Sequence, residues 1–169
     1  MTNRRKQNIE LAIVAGILLA IVLMTIFAPW LAPYDPLQID MSNRLADPSW
    51  AHPLGTDALG RDVLSRVIYG GRASLLLAVA ATCCSMAVGL VVGIAAGYCG
   101  GVVDAVITGI SNIFQGLPGM ILMIALVGVL ESSTQSILLA LVLTSWVGFS
   151  RLVRGEVLKI KGELYIEGM

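Results

Sequence analysis

The chain has 169 residues, of which 57% are hydrophobic and only 13% charged, against the roughly 25% charged residues of an average soluble domain. Eleven Lys and Arg balance eleven Asp and Glu, so no surplus of positive charge points to a nucleic-acid partner. The mean hydropathy of +0.85 is concentrated in blocks, the arrangement expected of a polytopic membrane protein.

The first apolar block, residues 11–31, follows a basic start at Arg4, Arg5 and Lys6. It is as long as a spanning helix, whereas the apolar core of a signal peptide is roughly 7–15 residues. It is therefore expected to stay in place as transmembrane helix 1, behind a short N-terminus at 1–10. Residues 32–72 follow as an external loop. Pro33, Pro36, Pro48 and Pro53 break its first half into turns. Its second half predicts an amphipathic helix, with Thr56 or Asp57 as cap, Leu59, Val63, Val67 and Ile68 on one face, and Asp62 paired with Arg66. His52, the single histidine, reads as a solvated turn residue.

Residues 73–150 predict three further spans, at 73–99, 105–130 and 136–150. On the second span Ala81, Ser85, Gly89, Gly93 and Gly97 recur every four residues, a stripe of small side chains that lets a neighbouring helix approach closely. The fourth span repeats the theme with Ser136, Ala140, Thr144 and Gly148. On the third, Thr108, Ser111, Asn112 and Gln115 fall on one face and Pro118 favours a kink. Such a stripe either lines a transport pathway with a bend that assists gating, or supplies hydrogen bonds between helices.

Residues 151–169 are basic and mixed with apolar side chains, which suits a cytoplasmic segment docking on a soluble partner. A helix through Val153, Val157 and Ile160 is expected to break at Lys161-Gly162 and restart at Glu163. Arg151, Arg154, Lys159 and Lys161 make the second end basic like the first. With four crossings both ends share a side, which the positive-inside rule makes cytoplasmic, despite Arg44, Arg61, Arg66 and Arg72 in the external loop.

Catalytic signatures are missing from the sequence. It contains no G-x-x-x-x-G-K-[ST], G-x-S-x-G or H-E-x-x-H, and Cys83, Cys84 and Cys99 lack the spacing of a zinc site or disulfide framework. Neither an enzyme nor a cofactor is expected in this chain.

Four stretches resemble the inner-membrane permease subunits of ATP-binding-cassette importers for dipeptides, oligopeptides and nickel. They are Leu31-Ala-Pro-Tyr-Asp-Pro36, His52-Pro-Leu-Gly-Thr-Asp-Ala-Leu-Gly-Arg-Asp-Val-Leu-Ser-Arg66, Gly97-Tyr-Cys-Gly-Gly-Val-Val-Asp104, and Trp146 through Glu167. The resemblance implies an all-α helical bundle of the type I permease kind, with four of an expected six spans present. It also implies an inner-membrane location and three kinds of partner: a homologous permease, two cytoplasmic ATP-binding subunits, and an external binding protein that delivers peptide, glutathione or nickel. Glu167 matches the glutamate of the family's E-A-A…G coupling motif, while Gly168 and Met169 stand where two alanines are usual. Tyr165 and Glu167 are therefore the expected ATPase contacts, and the chain is expected to be a fragment or a truncated product. The competing expectations are an ATP-independent channel or secondary transporter, and a membrane scaffold.

Overall fold

A computed structural model describes residues 2–130 and 133–167, with side chains over 6–130 and 133–163. Among these residues the structure is helical and has no strand beyond one isolated bridge, Thr56 to Asp62. The chain forms two compact units, Met1–Leu76 and Leu77–Met169.

In the first unit, α1 (Thr2–Ile26) is followed after Phe27 by one turn, α2 (Ala28–Leu31). The first apolar block is thus interrupted near its end. Phe27 sits at φ −87° and ψ 11°, and Pro29, with no N–H, is placed in the first turn of α2, where that donor would be unpaired anyway. Most apolar side chains of α1 are exposed, as on a helix whose apolar surface meets lipid or other helices.

The proline-rich segment folds back as turns and one 3-10 turn, Met41–Asn43. Its closure depends on Gly60, at φ +74°, where a Cβ would overlap the Asp40 carbonyl. Asp57 organises this loop. Its carboxylate accepts from the backbone N–H groups of Leu59 and Arg61, from Arg61 Nε at 2.8 Å, and from Arg66.

Asp62, rather than Thr56 or Asp57, caps the next helix. Its Oδ2 accepts from Ser65 N at 2.8 Å and Ser65 Oγ at 2.7 Å, the bond pattern of an N-cap residue. The expected Asp62–Arg66 pair is replaced by Arg66–Asp57, because capping and His52 occupy Asp62. His52 is also not a solvated turn residue. Its Nδ1 lies 3.0 Å from Asp62 Oδ1, and its ring stacks on Tyr34 with centroids 4.8 Å apart.

The helix that Asp62 starts, α3 (Val63–Cys99), runs unbroken for 37 residues, about 55 Å at ~1.5 Å per residue. The amphipathic stretch and the second apolar block are therefore one helix, with no proline between them and Gly70, Gly71 and Ser74 accommodated within it.

The second unit contains the rest of α3, then α4 (Gly101–Gly116), α5 (Gly119–Val129) and α6 (Thr134–Glu167). The third apolar block is broken rather than kinked, because α4 and α5 meet at 88°. Pro118 forces Leu117 to an extended conformation, φ −96° and ψ 136°, so α4 stops before it and α5 starts afresh. The helix of the last block continues through Gly162 without the expected break, making α6 a single rod of 34 residues. One glycine costs a helix interior only about 1 kcal/mol.

Among the described residues three helices are long and apolar enough to cross a membrane: Lys6–Ile26, Val63–Cys99 and Thr134–Glu163. Counting the bent α4–α5 pair as one crossing gives four.

Candidate functional site

The second unit is built on the close approach of α3 and α6. A Cβ on Gly89 would overlap that of Phe149. One on Gly93 would lie 2.6 Å from the Ser150 carbonyl oxygen, and one on Gly97 would lie 2.8 Å from Val157 Cβ. Ser85, one turn before Gly89, is 1% exposed and its hydroxyl has no partner among the described residues. The facing stripe of α6 consists of Trp146, Phe149, Ser150, Val153 and Val157, at helical spacing. The other small stripe behaves differently: Ala140 is fully buried, whereas a Cβ on Gly148 would meet open space.

Against a second side of α6 lies α4. Phe114 and Trp146 make an edge-to-face contact with centroids 5.9 Å apart. Towards the start of α4 the contact becomes polar. Arg154 grips both oxygens of Asp104, Nε to Oδ1 at 2.5 Å and Nη2 to Oδ2 at 2.6 Å, a two-point ion pair spanning 50 residues of sequence. Thr108 donates to the same carboxylate at 3.3 Å. One turn back along α6, Arg151 Nη2 donates to Asn112 Oδ1 at 2.8 Å.

The polar face expected on the third span is thereby located. Ser111 is buried, and Thr108 and Asn112 belong to the network that ties α4 to α6. Gln115 is exposed and lies outside that network. The sequence marked Arg151 and Arg154 only as basic residues past a span and Asp104 only as the end of a motif stretch, and did not pair them. The only available sign was one acid at the head of an apolar block and two arginines just past another. Beyond the arginines, Lys161 Nζ donates to the Tyr98 carbonyl at 3.1 Å, so this end of α6 is also tied to the end of α3. Tyr165 and Glu167 lie in the last turn of α6, with side chains outside the described residues, as are Gly168 and Met169 entirely.

Electrostatics in the first unit are equally specific. Burial raises the Asp57 carboxyl, but the N–H groups of Arg61 and Leu59 and the Arg61 side chain outweigh it and hold the group at about 2. For Asp62, burial is again outweighed, here by Ser65 and His52, and the carboxyl is lowered. Among the described residues no group of three or more His, Cys, Asp or Glu side chains is arranged to hold a metal ion. The three cysteines are free and lie on the outer surface of α3.

Two family models match in chain order. Residues 10–48 match the N-terminal transmembrane domain of oligopeptide transport permease C, and residues 89–169 match the binding-protein-dependent transport system inner membrane component. The dipeptide transport system permease protein of Bacillus subtilis is 38% identical over 165 residues, covering 96% of this chain and 51% of the relative. The oligopeptide transport system permease protein of the same organism is 35% identical over 163 residues, 96% of this chain and 53% of the relative. The nickel transport system permease protein of Escherichia coli is 35% identical over 159 residues, 94% of this chain and 57% of the relative. The chain thus spans about half the length of the curated relatives it matches.

Proposed function

Since the chain belongs to the family of inner-membrane components of binding-protein-dependent transport systems, we propose that it forms part of the permease subunit of an ATP-driven importer for peptides or nickel. The observation that carries this reading is the near-complete alignment of the chain with three such permeases. In this account a second, homologous permease completes the pathway. Two separate cytoplasmic subunits hydrolyse ATP, and an external protein delivers the cargo. The N-terminus and the Arg151–Glu167 end of α6 lie on the cytoplasmic side, where basic residues near span ends are favoured.

The geometry supports a mechanism for coupling. Tyr165 and Glu167, at the end of α6, meet the ATPase. The helix is continuous from there to Thr134, so a push at its tip is carried along one rod of about 51 Å. Through Trp146 to Val157 the rod is packed against α3, and through Arg151 and Arg154 it is tied to α4. Movement of α6 therefore carries both neighbours. α5 also packs against α6, and the break at Leu117–Pro118 lets α4 and α5 tilt independently of each other as α6 moves, which makes it the gating joint. The face bearing Thr108, Ser111, Asn112 and Gln115 borders the pathway when the polar contacts to α6 rearrange. Chemistry is left to the ATP-binding partners, since transport needs only alternating access of the spans.

Uptake of a labelled dipeptide and of nickel by cells expressing the complete system tests the reading. Uptake of either that stops when ATP is depleted, while the membrane potential is clamped, supports an importer. Uptake that continues without ATP would favour a channel or secondary transporter.

A further inference from the structure

The second unit holds a cavity with two arginines in its lining. It lies between α4 and α6, has a volume of ≈ 280 Å³, and is lined by Ile107, Thr108, Ser111, Ser150, Arg151 and Arg154. Ser111 and Ser150 are each 2% exposed and line its inner wall, while Arg151 at its mouth is exposed, so the cavity opens to the surroundings of the helix pair. Arg154 pairs with Asp104, while Arg151 bonds to the neutral Asn112 and has no ion-pair partner among the described residues, which leaves one positive charge over. Each guanidinium has five N–H donors. Arg154 directs Nε and Nη2 at Asp104 and Arg151 directs Nη2 at Asn112, which leaves further donors on both. A site with surplus donors, a net positive charge and hydroxyls at its wall suits an oxyanion.

We propose that this cavity binds the phosphate of an anionic phospholipid. Its place along α6 favours a lipid over a free ion, because the apolar run ending at Phe149 gives way there to Arg151 and Arg154. Beside the cavity on α4, Val103, Val106 and Ile110 are 42%, 54% and 44% exposed, an apolar strip along which an acyl chain can lie. The inference rests on the reading that this end of α6 is cytoplasmic, where anionic headgroups face basic residues near the ends of spans. A bound lipid would brace α4 against α6 at the polar contacts that α6 must carry with it.

The test is native mass spectrometry of the protein purified in mild detergent. Phosphatidylglycerol, phosphatidylcholine and inorganic phosphate are titrated in turn, without ATP. The expected result is one tightly held phosphatidylglycerol, with Arg151→Gln weakening it about five- to tenfold and Arg151→Lys retaining most of it. Ser150→Ala, which leaves every ion pair in place, is expected to weaken it less and serves should Arg151→Gln fold poorly. Equal retention of phosphatidylcholine, or phosphatidylglycerol binding unchanged by both Arg151→Gln and Ser150→Ala, would overturn the proposal. Binding of inorganic phosphate alone would overturn the lipid assignment. Because the readout involves neither ATP nor transport, failure of the importer reading would leave it unchanged, and its own failure would leave ATP-driven uptake intact.

Discussion

Replacing Gly93 by alanine tests the close packing of α3 on α6 with one added carbon. The new Cβ would lie 2.6 Å from the Ser150 carbonyl oxygen and 2.8 Å from Val153 Cβ, and ordinary contact begins at 3.4 Å. The helices must therefore separate by about 0.8 Å at this point. No rotamer change relieves the clash, because one of the atoms met is backbone. Overpacking of this kind costs about 1–3 kcal/mol. Alanine also gains about 1 kcal/mol of helix propensity over glycine, which partly hides the loss. Gly148→Ala corrects for that gain, since its Cβ would meet open space on the same helix pair's outer side. The difference between the two variants isolates the clash. At ~2–4 °C per kcal/mol for a chain of this size, a ~2 kcal/mol clash separates their apparent melting temperatures by roughly 4–8 °C. Thermal unfolding in mild detergent, followed by size-exclusion of the surviving fraction, measures it. Melting temperatures for Gly93→Ala and Gly148→Ala that shift together would refute the packing argument.

Other perturbations address the polar contacts and the joint. Asp104→Asn and Arg154→Gln are each expected to loosen α4 from α6, and combining them should add little, because the pair is one interaction; hydrogen exchange across 101–116 reads this, and fully additive loss would contradict it. Asp57 has a folded pKa of about 2, below its ordinary ~3.9, so its contribution to loop stability is fully present above that ordinary value and lost as pH falls toward 2. Limited proteolysis of residues 40–62 is therefore expected to quicken over that interval, and Asp57→Asn to give faster cleavage already at pH 7. Asp62→Ala removes the cap of α3 and the partner of His52, with a capping loss of about 1 kcal/mol, seen as faster amide exchange over residues 63–66. Pro118→Ala is expected to lower the uptake rate while leaving the amount of assembled transporter unchanged, measured by transport and by co-purification from the same membranes.

The apolar blocks were legible because bilayer thickness sets a length that composition alone reveals, and each block does form helix. Their joints were less so. The start of α3 is set by Asp62 being claimed by Ser65 and His52, which local spacing could not distinguish from an i,i+4 pair with Arg66. Pro118 announced a disturbance, but the size of the 88° turn follows from Leu117 being driven to extended backbone as well. Gly162 looked like a stop and is not one, since a lone glycine leaves the helix ladder intact. The stripe of Gly89, Gly93 and Gly97 was readable as a place for close approach, though not which helix would approach. Least legible was the Asp104–Arg154 pair, because nothing in the sequence links two residues 50 positions apart. The motif stretch ending at Asp104 and the one running from Trp146 contained both partners without revealing that they touch.

The most direct test of the central claim is affinity purification of the protein from its native membrane after gentle solubilisation, comparing the natural sequence with Glu167→Lys. The account predicts that a second permease and ATP-binding subunits accompany the natural protein, and that the ATP-binding subunits alone are lost from the variant. Recovery of the chain with no ATP-binding subunit at any salt concentration would contradict it and leave a channel or a scaffold as the better description.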